Sequence, residues 1–167
     1  GLRVGIIGQP DINSDVDIKR LGEPKLFWGV SGGSIDSMVS NYTATKKFRN
    51  DDDYTPGGKN NKRPDRATLV YTNLIRRYFK NTVPIVLGGI EASLRRLTHY
   101  DYWSNTLRKP ILFDSKADYM VYGMGEQAII DLGLYLKEGK DVRTIAGLCY
   151  ISKEPVKEYL QIPSHKE

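Results

Sequence analysis

The stretch "VPIVLGGIEASLRRLTHYDYW", residues 83–103, decides the fold, because an apolar run stops at two glycines and then turns basic and aromatic without a break. Val83, Ile85, Val86 and Leu87 are mostly β-branched and show no polar alternation, the pattern of a strand buried on both faces. Gly88 and Gly89 can take positive φ and let a second backbone or a ligand come close. Glu91 to Arg96 forms helix readily, with an acid at its start and bases at its end. The junction reads as strand, glycine turn, helix. In open α/β sheets such a turn lies at the carboxyl edge of the strands, where ligands bind.

Four further short apolar runs predict strands at Arg3 to Ile7, Leu26 to Val30, Tyr119 to Tyr122 and Leu148 to Ile151. Helical stretches separate most of them. Asp15 to Leu21 is ended by Gly22, Pro64 or Asp65 opens a long helix to about Phe79, and Glu126 to Lys137 is ended by Gly139. The long helix carries Leu69, Leu74, Ile75, Tyr78 and Phe79 as a core-facing stripe. The alternation predicts an α/β, three-layer, Rossmann-like or flavodoxin-like architecture, a mainly parallel sheet with helices on both faces. Asn41 to Arg63 and Leu97 to Ser115 are too long for ordinary βα connections and follow carboxyl ends of strands. They are expected to wall the sheet's crevice or to offer a partner surface.

Composition bounds the rest. With 167 residues, 40% hydrophobic and 27% charged, the chain suits one domain with a real core. No apolar run approaches the roughly 20 residues of a spanning helix, and no signal-peptide pattern opens the chain, so no membrane partner and a cytoplasmic location are expected. Cys149 is the single cysteine, which leaves no internal disulfide and no multi-thiolate metal or cluster site within this chain.

Three strands end in glycine-bearing turns, "GVSGGSID", "LGGIEAS" and "YGMGEQA". Side by side they would offer backbone N–H groups and helix N-termini to an anionic or nucleotide-like ligand. Ser31, Gly32, Gly33, Gly88, Gly89, Glu91, Gly123, Gly125 and Glu126 are the candidate cofactor-binding residues. None of the turns is a dinucleotide or P-loop fingerprint, and simple packing turns remain an open reading. Acid–base residues are few: His165 lies in a polar tail, and His99 with Asp101 forms a paper pair that reads better as part of a packed aromatic loop. No catalytic residue is assigned. "DDD" at residues 51–53 reads as solvated acids more readily than as a cation site.

The net charge of +5 admits a second reading, a nucleic-acid or protein binding module. It would set Lys46, Lys47, Arg49, Lys59, Lys62, Arg63 and Arg66 on phosphates, with Tyr54 and Trp103 for stacking.

The segments "KRPDRATLVYTNLIRR" and "VPIVLGGIEASLRRLTHYDYWSNTLRKPILFDSKADYMVYGMGE" closely resemble the N-terminal domain of the YgiQ-type radical SAM proteins, from "RVGIIGQPD" to about Ile151. The resemblance implies a cobalamin-binding-like fold, in which a strand ending in two glycines and a later "GEGE"-like turn line the cofactor edge. Gly88 and Gly89 hold the first place, and Gly123, Gly125 and Glu126 the second. Met124 departs from that turn and no D-x-H-x-x-G motif is present, which speaks against cobalamin itself. A 4Fe-4S cluster on C-x-x-x-C-x-x-C, together with S-adenosylmethionine, is implied in a C-terminal radical SAM domain beyond residue 167. Residues 1–155 then form an auxiliary domain, not catalytic alone, which positions a substrate or second cofactor; residues 156–167 are a linker toward that C-terminal partner. The substrate class stays open between a small molecule and a nucleic acid. The resemblance also implies a strand and helix before "RVGII" that this chain lacks. Arg66, Arg95, Arg96, His99, Asp101 and Trp103 are the candidate substrate or interface residues. One of these arginines is expected to pair with an acid of the second insertion and pin it over the sheet edge.

Overall fold

A computed structural model describes residues 1–155 and 160–163, so His165 and most of the expected linker lie outside the described residues. In chain order the elements are α1 (Val16–Lys19), β1 (Trp28–Ser31), α2 (Ser37–Asn41), α3 (Ala67–Tyr78), β2 (Ile85–Gly88), α4 (Gly89–Leu94), β3 (His99–Asp101), β4 (Thr106–Arg108), α5 (Ile111–Ser115), β5 (Tyr119–Val121), α6 (Glu126–Glu138), a 3₁₀ turn (Val142–Thr144) and β6 (Leu148–Tyr150). The main sheet has the order β1-β2-β5-β6. β1, β2 and β5 run parallel, so their carboxyl ends meet on one edge. The architecture is α/β with a mainly parallel sheet. No helix among the described residues is long and apolar enough to cross a membrane.

β2 shows why its sequence lacks alternation. Ile85 and Leu87 enter one core cluster with Ile18, Leu74, Ile75, Ile111 and Leu112 from α1, α3 and α5. Val86 faces the other way, into a second cluster with Ala128 and Leu132 of α6 and with Val142 and Ile145. Both faces are dry, so every position of the strand must be apolar.

Three expectations are corrected. Residues 3–7 form no strand, and Val4 and Ile6 are 82% and 83% exposed. A lone extended segment gains no ladder bonds to offset its ordering cost, and β1 is bonded only to β2 among the described residues. The chain start lies instead across α6, where Gly133 leaves room for Leu2. Second, β6 is antiparallel to β5. After α6, residues 140–147 climb back to the carboxyl edge with Val142 and Ile145 packed inward. Gly147, at φ +82, sits beside Ala128 in the first turns of α6, and Tyr122 N bonds its carbonyl; the chain then descends. Third, the insertion at 97–115 is not a plain loop: it contains the antiparallel hairpin β3–β4 and the short helix α5.

α3 begins at Ala67, two or three residues later than Pro64 or Asp65. The Asp65 carboxylate is taken by Asn41 Nδ2 (2.9 Å) and the Tyr42 hydroxyl (3.0 Å), so it does not cap the helix.

Candidate functional site

The carboxyl ends of β1, β2 and β5 enclose a cleft of about 390 Å³, near the lower end of the ~300–1,000 Å³ usual for ligand pockets. Ser31, Gly88, Gly89, Gly123, Gly125 and Glu126 line it, together with Gly29 and apolar residues of the strands and α6, Val30, Val86, Leu87, Val121 and Ile129. Gly89 is favoured over any other residue: its φ is +79, and a Cβ there would lie 2.5 Å from Ser31 Oγ, so the serine would have to shift. A Cβ on Gly125 would run into Val121 Cγ1. α6 starts here with Gly125 as its cap and no side chain bonding its first turn, so amide donors and the positive end of its dipole stand at the cleft. A polar or anionic ligand suits such a surface.

Gly32, Gly33 and Glu91 are not part of that lining. Glu91 is 3% exposed and turned into the fold. It accepts from the Ser37 hydroxyl at 2.5 Å, from Ser37 N at 3.1 Å and from Thr68 N at 3.0 Å, joining the starts of α2 and α3 beneath the first glycine turn. Gly32 is glycine because a Cβ would strike this carboxylate. Above it, Arg63 donates from Nη1 to Gly32 O (2.7 Å) and from Nε to Asp52 (3.0 Å).

Asp52 corrects the reading of residues 51–53 as solvated acids, because it is 3% exposed. Burial opposes its ionisation, but the Thr55 hydroxyl and the Arg63 guanidinium outweigh burial and hold its carboxyl below the usual range. Nothing in the polar loop's sequence marks Arg63 apart from its basic neighbours, so this buried pair was not legible there.

The second insertion is pinned as the sequence suggested. Arg66 Nη2 donates to Asp101 Oδ2 at 2.7 Å, and the Ser104 hydroxyl donates to the same oxygen at 2.5 Å. Burial alone would raise the Asp101 pKa; these two donors reverse the effect and bring it down to about 2. Arg95 Nη1 pairs with Asp36, the cap of α2, and also reaches Glu91 O (3.0 Å). Arg96 contacts Ser93 O (2.8 Å) and lies 5.3 Å from the centre of the Tyr122 ring.

His99 and Asp101 do not act together. Asp101 is committed to Arg66 and Ser104, while His99 Nδ1 sits 3.1 Å from Leu97 O. Trp103 is half-buried: its ring centre is 4.3 Å from that of Tyr42 and 5.3 Å from Lys46 Nζ. Lys46 also donates to Trp103 O, and the Tyr102 hydroxyl to Ala44 O, so the two insertions lock to each other.

The groups that the resemblance implies can be tested against these residues. Among the described residues no three His, Cys, Asp or Glu side chains are placed to hold a metal ion. Cys149 is partly buried, which pushes its thiol pKa up, and it stands alone. This domain therefore does not fit an iron–sulfur cluster. No histidine lines the cleft, so an imidazole ligand to cobalamin does not fit either.

These features define an α/β domain whose carboxyl edge carries a cleft of glycine turns, flanked by two interlocked insertions. The chain belongs to the Radical SAM N-terminal family, which it matches over residues 1–167. It is 64% identical over 168 residues to a UPF0313 protein of Fusobacterium nucleatum, covering all of this chain and 30% of the relative. It is 54% identical over 170 residues to a UPF0313 protein of Thermotoga maritima, again covering all of this chain and 30% of the relative. A UPF0313 protein of Clostridium botulinum is 51% identical over 172 residues, covering all of this chain and 27% of the relative. The chain thus spans about 30% of the length of these curated relatives. No solved structure matches it.

Proposed function

We propose that this domain is the auxiliary front part of a radical SAM protein, presenting its glycine cleft to a substrate or second cofactor beside a 4Fe-4S cluster and S-adenosylmethionine held in the remainder of the polypeptide. The carrying observation is the convergence of the carboxyl ends of three parallel strands on one cleft, with the glycine turns after β2 and β5 in its lining. The domain's own contribution is positional. Backbone amides and the start of α6 orient a polar group, while Arg63 ties the first insertion to the turn after β1 and Arg66 ties the second to the start of α3. The lone, partly buried thiol supports placing the cluster elsewhere.

The nucleic-acid reading has less support. Arg63 and Arg66 are spent on internal acids and Trp103 is half-buried against Tyr42, so three of the residues this reading would use are engaged within the fold, while Tyr54 stays 56% exposed.

The test uses full-length protein purified without oxygen and examined by mass spectrometry for a retained small molecule. Glu126→Trp should fill the cleft and abolish retention with iron content unchanged. A variant that keeps as much of the molecule as the wild type overturns the assignment of the cleft.

A further inference from the structure

One surface at the carboxyl edge is apolar, exposed and not used by the cleft. In α4, Glu91 and Ala92 are buried, at 3% and 0% exposure, so the helix turns Ile90 and Leu94, one turn apart, outward. They are 47% and 60% exposed. The turn after β5 lies directly beside them, because Gly123 N donates to Ser93 Oγ at 3.2 Å and Arg96 rests on the Tyr122 ring. That turn adds Tyr122 at 38% exposure and Met124 at 95%. Four large apolar side chains thus form one patch that borders the cleft through Gly89 and Gly123.

Such a patch on a domain calls for a partner, and an exposed methionine packs against many surfaces. We infer that the face formed by Ile90, Leu94, Tyr122 and Met124 is the docking surface for the remainder of the same polypeptide, which closes over the glycine cleft from this side. The inference rests on the function proposed above, and it adds the surface through which the two parts meet. Relatives of this chain carry more than twice as much polypeptide again, since the chain covers only 30% of their length. That remainder is tethered, so its local concentration is high and a patch of this size suffices as the centre of an interdomain contact. The rim has a chemical preference as well. Arg96 is exposed, and its two contacts, Ser93 O and the Tyr122 ring, leave its charge without a carboxylate among the described residues. The docking partner is therefore apolar at its centre and acidic where it meets Arg96.

The experiment is photo-cross-linking in the full-length protein, with p-benzoylphenylalanine placed at Leu94, at Met124 or, as a control, at Val16. Val16 is equally free at 71% exposure but lies on α1, and is not part of the patch. Positions 94 and 124 should link within one chain to peptides beyond residue 167, and position 16 should not. Arg96→Glu should lower the yield from position 124 by about threefold or more. Links between two copies, seen as a doubled mass, would assign the face to self-association and overturn the inference, as would an absence of links at both positions. The readout needs neither a ligand nor turnover. If Glu126→Trp leaves small-molecule retention intact while these links form, the surface stands and the cleft assignment falls.

Discussion

At the scale of single residues, the domain is held by acids and bases taken out of water and given fixed partners. Glu91, Asp52 and Asp101 each lie below 9% exposure, and each accepts at least two hydrogen bonds. Removing one partner of such a group costs more than the pair itself contributes, because the other is left buried and unmatched. Asp101 gives the clearest pH consequence. Its folded pKa, about 2, lies below its ordinary 3.8, so it binds its proton more readily in the unfolded chain. Its contribution to stability is complete above the unfolded value and is lost as pH falls through the folded one. The stability difference between the wild type and Asp101→Asn, measured by urea unfolding, should be constant near neutrality and shrink between about pH 4 and pH 2. Arg66→Ala should also speed amide exchange from Tyr100 to Trp103. Unchanged exchange there would mean that the contacts of Lys46 and Tyr102 hold the hairpin without Arg66.

At the scale of elements, the glycine turns separate into two kinds that the sequence makes look alike. Gly89 combines a φ of +79 with contact against Ser31 Oγ, whereas Gly123, at φ +67, has open space where its Cβ would go. Gly123→Ala should therefore cost only the left-handed strain, about 1–2 kcal/mol. Gly89→Ala adds a collision with the end of β1 and should cost about 1–3 kcal/mol more. Thermal melting of the two variants checks the order, and equal losses would show that the first turn yields to the extra methyl. Among the elements themselves, β2 was legible because a strand dry on both faces must be apolar throughout, and β1 and β5 because each is a short apolar run that ends in a glycine turn. The hairpin β3–β4 was not. Apart from Leu107 its residues are polar or aromatic, its strands are three residues long, and α3 and the first insertion hold it through Arg66 and Lys46.

At the scale of the molecule, the one thiol stands apart from the cleft. Cys149 sits on β6, which packs against β5 on the side of the sheet away from β1, and the cleft lining does not include it. Cys149→Ser in the full-length protein should leave iron and sulfide stoichiometry after anaerobic reconstitution unchanged, as measured by elemental and colorimetric analysis. Loss of iron in that variant would place a cluster ligand in this domain.

The sequence by itself determined the layers, the parallel central strands and their glycine ends, because hydrophobic periodicity and the freedom of glycine act locally and leave a signature residue by residue. Resemblance carried by "GGIEASLRRLTHYDYW" determined the family. Tertiary structure alone decided which polar residues face the cleft and which are consumed within the fold. Glu91 and Glu126 are both acids in the first turn of a helix after a glycine turn, yet one is buried under Gly32 and the other lines the cleft. The choice between them depends on where α2 and α3 deliver Ser37 and Thr68, residues 54 and 23 positions away from Glu91 along the chain. The direction of β6 and the exposure of residues 3–7 were decided in the same way, by which strand edges and which faces were free once the other elements had packed.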